Sequence, residues 1–144
     1  MAHVPHLTIE LVTPDRSIVH EQVDELQVPG VEGYLGVLPG HTPLLTALQV
    51  GELWFRQGAE KVFVSVAFGV AEILPDRVTI LAQLAERAED IDIARAEAAR
   101  ARARARLKMT TTDIDFERAR IALMKSLIRL QVASKIHVRP QAGL

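Results

Sequence analysis

Arginines in the C-terminal part of the chain have the type and the spacing that binding a polyanion requires. They recur at every second position from Arg100 to Arg106, with alanines between them. A helix turns by about 100° per residue, so successive arginines fall on nearly opposite sides and form two stripes. The stripes contain Arg95, Arg102 and Arg106 on one side, and Arg100, Arg104 and Lys108 on the other.

A third cationic stripe lies farther along the chain, where Arg118, Lys125 and Arg129 repeat the spacing of the first one. If these two stripes face each other in a hairpin, they repel. A unit-charge pair at 4 Å costs about 1 kcal/mol in water and about 4 kcal/mol at an effective dielectric of 20. A polyanion such as a nucleoside triphosphate between the stripes would relieve that cost. The alternative is that both stripes are solvated faces, which is the usual role of charge runs.

Two helices must position these stripes. From residue 90 the chain is rich in helix-forming residues and contains no Gly or Pro before Pro140. Asp90 and Asp92 suit the start of a helix, and Thr112 with Asp115 resembles a capping box. The sequence predicts helices over residues 90–108 and 113–135, joined by a short turn.

Small residues predict how the helices pack. On the first helix they form one smooth face, at Ala94, Ala98, Ala101 and Ala105. On the second helix large and small residues alternate at Phe116, Ala119, Leu123, Ser126, Leu130 and Ala133. These patterns predict an antiparallel hairpin. Each buried methylene contributes only about 0.8 kcal/mol, so an alanine seam makes the hairpin marginally stable and able to open.

The N-terminal part predicts a β domain. Apolar residues alternate or form short β-rich runs from Leu7 to about Leu84. One predicted hairpin pairs residues 53–57 with 62–66 around "GAE", and a second pairs 70–74 with 78–84 around Pro75 to Arg77. The predicted fold is an all-β N-terminal sandwich, residues 1–87, followed by a C-terminal antiparallel two-helix hairpin, residues 88–144.

Charge and composition exclude several classes of protein. Residues 1–89 hold 5 Lys and Arg against 12 Asp and Glu, whereas residues 90–144 hold 12 against 6. The absence of cysteine excludes disulfide frameworks and thiolate metal sites. No apolar run approaches the roughly 20 residues that span a bilayer, so membrane association is expected only through a partner. The chain offers no nucleophile constellation or metal-ligand set, and we expect neither an active site nor a metal.

Two motifs resemble a known family. "GYLGVLPGHTPLL", residues 33–45, and "IDIARA", residues 91–96, occur in an order similar to that of epsilon subunits of bacterial F-type ATP synthases. The resemblance implies a non-catalytic sandwich on the central rotor stalk, in contact with the gamma subunit and the loops of the membrane ring. It implies that the loop containing Gly33, Tyr34, Gly36 and His41 faces the ring and stalk, at the cytoplasmic face of the inner membrane.

The second motif implies a regulatory ATP site on the hairpin, with ATP as a ligand rather than a required cofactor. By similarity its residues are Glu86, Ile91, Asp92, Arg95, Ala96, Arg102, Lys125 and Arg129. Lys125 stands where strong ATP binders of the family have an arginine, and a lysine lacks the bidentate fork. The alternative is an ordinary helix start, in which Asp92 caps the helix and Arg95 is solvated.

Two functions remain open. In the family the hairpin extends between the catalytic alpha and beta subunits and inhibits ATP hydrolysis, and ATP would favour the folded form. The alternative is a small nucleic-acid-binding protein that uses the basic half. Against it, only Phe116 offers an aromatic surface for base stacking in that half, and the acidic half would repel a phosphate backbone.

Overall fold

Seven strands form the N-terminal part of the chain. The structure, a computed structural model, describes residues 6–137; the ends of the two predicted domains, residues 1–5 and 138–144, lie outside the described residues. The strands are β1 (Leu7–Val12), β2 (Ser17–Val23), β3 (Glu25–Gly30), β4 (Gly33–Val37), β5 (Leu44–Gln57), β6 (Glu60–Ile73) and β7 (Arg77–Arg87). They form one sheet in the order β2-β1-β7-β6-β5-β3-β4. Two helices follow, so the predicted fold class is confirmed.

The sheet folds over itself into a sandwich. All neighbouring strands are antiparallel except β1 and β7, which are parallel. β2 and β5 are distant in the sheet order, yet Gln57 Nε2 donates a hydrogen bond to the backbone oxygen of Gln22 at 2.9 Å. Between the layers lies one apolar core, which includes fully buried Leu7, Leu53 and Phe55.

β6 corrects the prediction of two separate hairpins. The predicted strand 62–66 and all but the last residue of the predicted strand 70–74 lie in one 14-residue strand, which pairs with β5 on one side and β7 on the other. Within it, Phe68 and Gly69 adopt positive φ angles of 61° and 133°. Residues that belong to the sandwich core are even-numbered before this point (Val64, Val66) and odd-numbered after it (Ala71, Ile73). This change in the alternation of core residues is the reason that the sequence pattern predicted two strands instead of one.

Each helix begins directly after its N-cap residue. After a 3-10 turn, Ala88–Asp90, α1 spans Ile93–Met109 and α2 spans Asp113–Ser134, and a second 3-10 turn spans Lys135–His137. The side chain of Asp92 accepts a hydrogen bond from the backbone N–H of Arg95 at 3.0 Å, so α1 starts later than predicted. Thr112 accepts from the N–H of Asp115 at 3.1 Å, which confirms the predicted cap of α2.

The predicted packing face of α1 is wrong. The four alanines assigned to it are exposed, namely Ala94, Ala98, Ala101 and Ala105. The nearly opposite face is the inner one, with Ala96 and Ala103 buried and Ala99 and Leu107 half-buried. On α2 the prediction is right for Ala119, Ser126 and Ala133, which are buried, but Phe116 is 48% exposed.

α2 connects the hairpin to the sandwich. It packs on α1, on β5 and β6, and on the first 3-10 turn. Its apolar anchor is a small cluster in which Val132 and Ala133 meet Ala88 and Ile91, with Phe63 of β6 packed against them. α1 is attached to the rest of the protein mainly through α2, because α2 is the one element with which it makes extensive contact.

Candidate functional site

A cavity lies between the outer face of the sheet and the hairpin. Its floor consists of residues paired across β5, β6 and β7: Val50 lies beside Ala67, which lies beside Leu84. The cavity has a volume of about 460 Å³, within the range of about 300–1,000 Å³ that small-molecule sites occupy. α1 and α2 form its other wall, through Ala99 and Ser126 among others.

Three cationic side chains converge on this cavity. Arg95 comes from the first turn of α1, and Lys125 and Arg129 come from successive turns of α2. Glu86, near the end of β7, is the one acidic residue among those that line it. The antiparallel hairpin thus brings the start of the first predicted stripe to the end of the third one, and the lining carries an excess of positive charge.

Glu86 and Arg129 form an ion pair across the cavity wall. Arg129 Nε lies 2.8 Å from Glu86 Oε1, and Nη2 donates to Oε2 at 3.5 Å. Although Arg129 Nε is buried, its N–H makes no hydrogen bond to any acceptor in the described part of the chain. The contact is therefore a close ion pair rather than a well-aligned bidentate one. The side chains are 33% and 22% exposed, so water partly screens it.

Lys125 has an aromatic neighbour. Its Nζ lies 5.6 Å from the centroid of the Phe68 ring, within the range of a cation–π interaction. Phe68 is the residue whose positive φ changes the phase of β6. An uncommon backbone conformation in the sheet therefore turns this ring toward the ammonium group.

Four of the eight residues predicted for the nucleotide site do not line the cavity. Asp92 is exposed and caps α1, and Ile91 is buried in the apolar cluster under α2. Ala96 is fully buried on the inner face of α1. Arg102 is exposed, two turns beyond Arg95. The "IDIARA" motif thus has a structural role here that accounts for Ile91, Asp92 and Ala96, whereas Arg95 is exposed and borders the cavity.

Polar residues that the sequence did not single out join the two domains. Glu52 of β5 is only 6% exposed, and its carboxylate contacts Gln131 and Lys135 at the end of α2. Ser65 lies between Glu52 and Glu86 in the sheet. The strand pattern alone does not distinguish a buried acidic residue from an exposed one, so this contact was not predicted.

The remaining basic residues of the hairpin divide into paired and solvated ones. Arg120 pairs with Glu117 one turn away, and this hydrogen bond holds the pKa of the Glu117 carboxyl below its ordinary value. Arg100, Arg104 and Arg106 make no ion pair within residues 6–137. Arg104 and Arg106 are exposed, as the solvated interpretation expects, whereas Arg100 is half-buried.

The residues predicted to face the ring and stalk lie at one edge of the sheet. Gly33, Tyr34 and Gly36 belong to the edge strand β4, not to a loop as the motif suggested, and His41 follows in the turn before β5. Gly33 has a φ of 136°, whereas Gly36 has no such conformation. Tyr34 is 49% exposed and borders a surface groove with other exposed apolar side chains, Val31, Leu44 and Leu45.

Residues 6–137 contain neither a helix suited to cross a membrane nor a cluster of metal-ligating side chains. Neither helix has both the length and the apolar character that crossing a membrane requires. In residues 6–137 no group of three or more His, Cys, Asp or Glu side chains is arranged to hold a metal ion.

Comparisons with known proteins match both parts of the chain. Residues 6–88 match the family described as "ATP synthase, Delta/Epsilon chain, beta-sandwich domain", and residues 89–134 match "ATP synthase, Delta/Epsilon chain, long alpha-helix domain". A protein of Koribacter versatilis (strain Ellin345) named ATP synthase epsilon chain is 51% identical over 86 residues, which are 60% of this chain and 61% of that relative. The match to this relative therefore spans about three fifths of its length.

Two further similarities extend over most of the chain. The ATP synthase epsilon chain of Syntrophobacter fumaroxidans (strain DSM 10017 / MPOB) is 48% identical over 129 residues, 90% of this chain and 96% of the relative. A chain in the cryo-EM structure of Euglena gracilis mitochondrial ATP synthase, OSCP/F1/c-ring in rotational state 1, has a TM-score of 0.77 at 26% identity. That likeness covers 90% of this chain and 82% of the other. Because the two family matches span residues 6–134, the chain belongs to the ATP synthase delta/epsilon chain family.

Proposed function

We propose that the chain is the epsilon subunit of the central stalk of an F-type ATP synthase, and that its hairpin is a nucleotide-sensing regulator. Relatives named ATP synthase epsilon chain, matched over nearly their full length, support the first part. The subunit is non-catalytic, binds the gamma subunit and the ring, and reaches the membrane only through the complex, at its cytoplasmic face. The exposed apolar groove beside Tyr34, with His41 nearby, is the surface that we assign to ring and stalk.

The observation that carries the regulatory part is the cationic cavity. Arg95, Lys125 and Arg129 surround a space large enough for a nucleotide, and two of them are on a different helix from the third. A phosphate chain bound there would contact both helices. It would stabilise the closed hairpin by as much as its affinity for the closed form exceeds that for the open form.

The other predicted residues act differently in this proposal. Asp92, Ile91 and Ala96 position Arg95 by fixing the start of α1, rather than touching the ligand. Arg102 lies two turns beyond Arg95 and outside the cavity, and it contacts ATP only if the phosphates extend along α1. Glu86 holds Arg129 in the absence of ligand, and a phosphate group that binds this guanidinium would compete with its carboxylate.

The open form of the hairpin would inhibit ATP hydrolysis by extending toward the alpha and beta subunits. The basic outer surface of α1, with Arg100, Arg104 and Arg106 exposed or half-buried, suits an acidic partner surface. ATP would oppose this extension by holding the hairpin on the sandwich.

Calorimetry of the full chain with ATP tests the nucleotide site. Arg95→Gln and Lys125→Gln should each weaken binding by about tenfold, since a charge-assisted hydrogen bond contributes roughly 1.5–3 kcal/mol. Arg104→Gln is the matched control, because that arginine is exposed on the other stripe and does not line the cavity. Equal affinities for all three variants would refute the proposed site.

Removal of the hairpin tests the inhibitory role. An ATP synthase complex assembled with residues 1–92 alone should hydrolyse ATP faster than one with the whole chain, because nothing extends toward the catalytic subunits. An unchanged rate would contradict inhibition by this chain. Salt-dependent retention of the isolated chain on DNA, without ATP binding, would instead support the nucleic-acid alternative.

A further inference from the structure

Glu52 is a buried carboxylate that the nucleotide site does not use. It lies in β5 with 6% of its surface exposed. Lys135 Nζ lies 2.8 Å from Oε2, and Gln131 Nε2 donates to Oε1 at 3.4 Å. Gln131 belongs to the last turn of α2, and Lys135 follows that helix directly. One side chain of the sandwich thus holds the C-terminal end of the hairpin.

The position of Glu52 is fixed from the sheet side as well. Its backbone N–H donates to the hydroxyl of Tyr34 on β4 at 3.3 Å. Lys135 Nζ also lies 5.0 Å from the centroid of the Phe63 ring, and Phe63 packs against the apolar cluster under α2. The ammonium group is therefore held between a carboxylate and an aromatic face, both on the outer face of the sheet.

The two ion pairs between hairpin and sheet share one row of residues. Glu52 pairs with Ser65 across β5 and β6, and Ser65 pairs with Glu86 across β6 and β7. The two carboxylates are thus separated by two strand spacings, roughly 9.6 Å. Their partners Arg129 and Lys135 are separated by about 9 Å along a helix axis. α2 therefore crosses the strands with one charge over each acidic residue.

The two pairs differ in burial. The side chain of Glu86 is 33% exposed, whereas that of Glu52 is 8% exposed. A buried carboxylate that loses its cation remains uncompensated in a low-dielectric site, and breaking such a pair is far more costly than breaking an exposed one. The Glu52 contact is also outside the cavity, so a ligand bound there would not replace it.

We infer that Glu52 is the positioning residue that clamps the hairpin onto the sandwich in the absence of any ligand, through Lys135 and Gln131. The clamp sets the register of α2 on the sheet and the equilibrium between docked and undocked hairpin. The pair at the cavity, Glu86 with Arg129, is the contact that a ligand rearranges while the clamp holds. The inference rests on the proposed movement of the hairpin and does not require nucleotide binding.

Hydrogen exchange of the full chain without nucleotide tests the clamp. Glu52→Gln and Lys135→Met should each speed exchange of the α1 and α2 amides at least tenfold, which corresponds to about 1.4 kcal/mol. Amides of the sandwich core, such as those of β1, should keep their wild-type rates. Glu72→Gln is the matched control, because Glu72 is an exposed carboxylate on the neighbouring strand.

The double variant tests whether Glu52 and Lys135 act through each other. If the carboxylate and the ammonium act through each other, combining Glu52→Gln with Lys135→Met should add little to either change alone. The inference is overturned if Glu52→Gln leaves helical exchange within threefold of wild type. It is also overturned if sandwich and helix amides accelerate together, because Glu52 would then stabilise the whole fold rather than the docked hairpin. Since no ATP is present, failure of the nucleotide site would leave these results unchanged.

Discussion

Replacing Glu86 by glutamine should increase the preference of the cavity for ligands with more phosphate groups. Glu86 is the one carboxylate among the lining residues, and it already occupies Arg129, with Nε 2.8 Å from Oε1. A phosphate group that binds this guanidinium must compete with the carboxylate. Glutamine keeps the shape of the side chain and one acceptor oxygen, but it removes the charge and replaces the second acceptor by an NH2 donor.

The size of the effect follows from the geometry. A phosphate oxygen bound to Arg129 would lie about 6 Å from the Glu86 carboxylate, and two unit charges at that distance repel by about 0.7 kcal/mol in water and about 2.8 kcal/mol at an effective dielectric of 20. Because both side chains are partly exposed, 33% and 22%, we take a value near the aqueous limit, about 1 kcal/mol. This corresponds to a gain of about fivefold in affinity for each phosphate charge near Arg129.

Loss of the ion pair also loosens the hairpin, which weakens the binding of every ligand alike. The ratio of affinities is therefore the measurement to make. Calorimetry with ATP, ADP, AMP and adenosine should give an ATP-to-adenosine ratio at least fivefold higher for Glu86→Gln than for the wild type. Glu89→Gln is the control, because Glu89 is exposed in the 3-10 turn and does not line the cavity.

One result would refute this reasoning. If Glu86→Gln changes the affinities for all four ligands by the same factor while ATP still binds, the ATP-to-adenosine ratio stays at its wild-type value. Glu86 then does not compete with a phosphate group for Arg129, and the orientation of the ligand is wrong.

Three further changes test the packing itself. Ala103→Leu should destabilise the docked hairpin by about 1–3 kcal/mol, because Ala103 is 2% exposed. Ala101→Leu, on the exposed face, should change hairpin stability by less than about 0.5 kcal/mol. Equal effects of the two changes on hydrogen exchange would contradict the assignment of the faces. Gly69→Ala should lower the melting temperature of the sandwich, at a cost of about 3 kcal/mol, because its Cβ would lie 2.1 Å from the backbone oxygen of Leu81 and φ is 133°. Asp92→Ala should cost about 1 kcal/mol and speed amide exchange in the first turn of α1, as loss of an N-cap does; an unchanged rate would mean that the cap contributes nothing.

The fold class and the position of both helices were predictable because the signals are local. Thr112 and the turn before it mark the start of α2 in the sequence, and the structure has the cap there. The inner face of α1 was not predictable from period alone. Two alanine faces repeat with nearly the same spacing on opposite sides of the helix, and the arginine stripes flank both of them equally, so charge does not choose between them.

A large apolar residue ends each face of α1, so side-chain size does not choose between the faces either. Leu107 continues the spacing of Ala96, Ala99 and Ala103 and is half-buried, whereas Met109, at the end of the other face, is 80% exposed. Burying either side chain would contribute about 0.8 kcal/mol per methylene beyond an alanine. The two faces are therefore equivalent in the sequence, and only the packing on α2 distinguishes them.

The shared row of Glu52 and Glu86 was not predictable from the strand pattern. Both loops that set the register are shorter than predicted: Gln57 pairs directly with Glu60, and the Leu74 N–H donates to the oxygen of Arg77 at 2.8 Å. The predicted strands leave four residues in the first loop, 58–61, and three in the second, so the predicted pairing would put Glu52 in one row with Ala85. The face of the row was not predictable either, because a one-residue slip turns a side chain to the other side of the sheet, and the change of phase at Phe68 is a backbone conformation that no alternation pattern predicts.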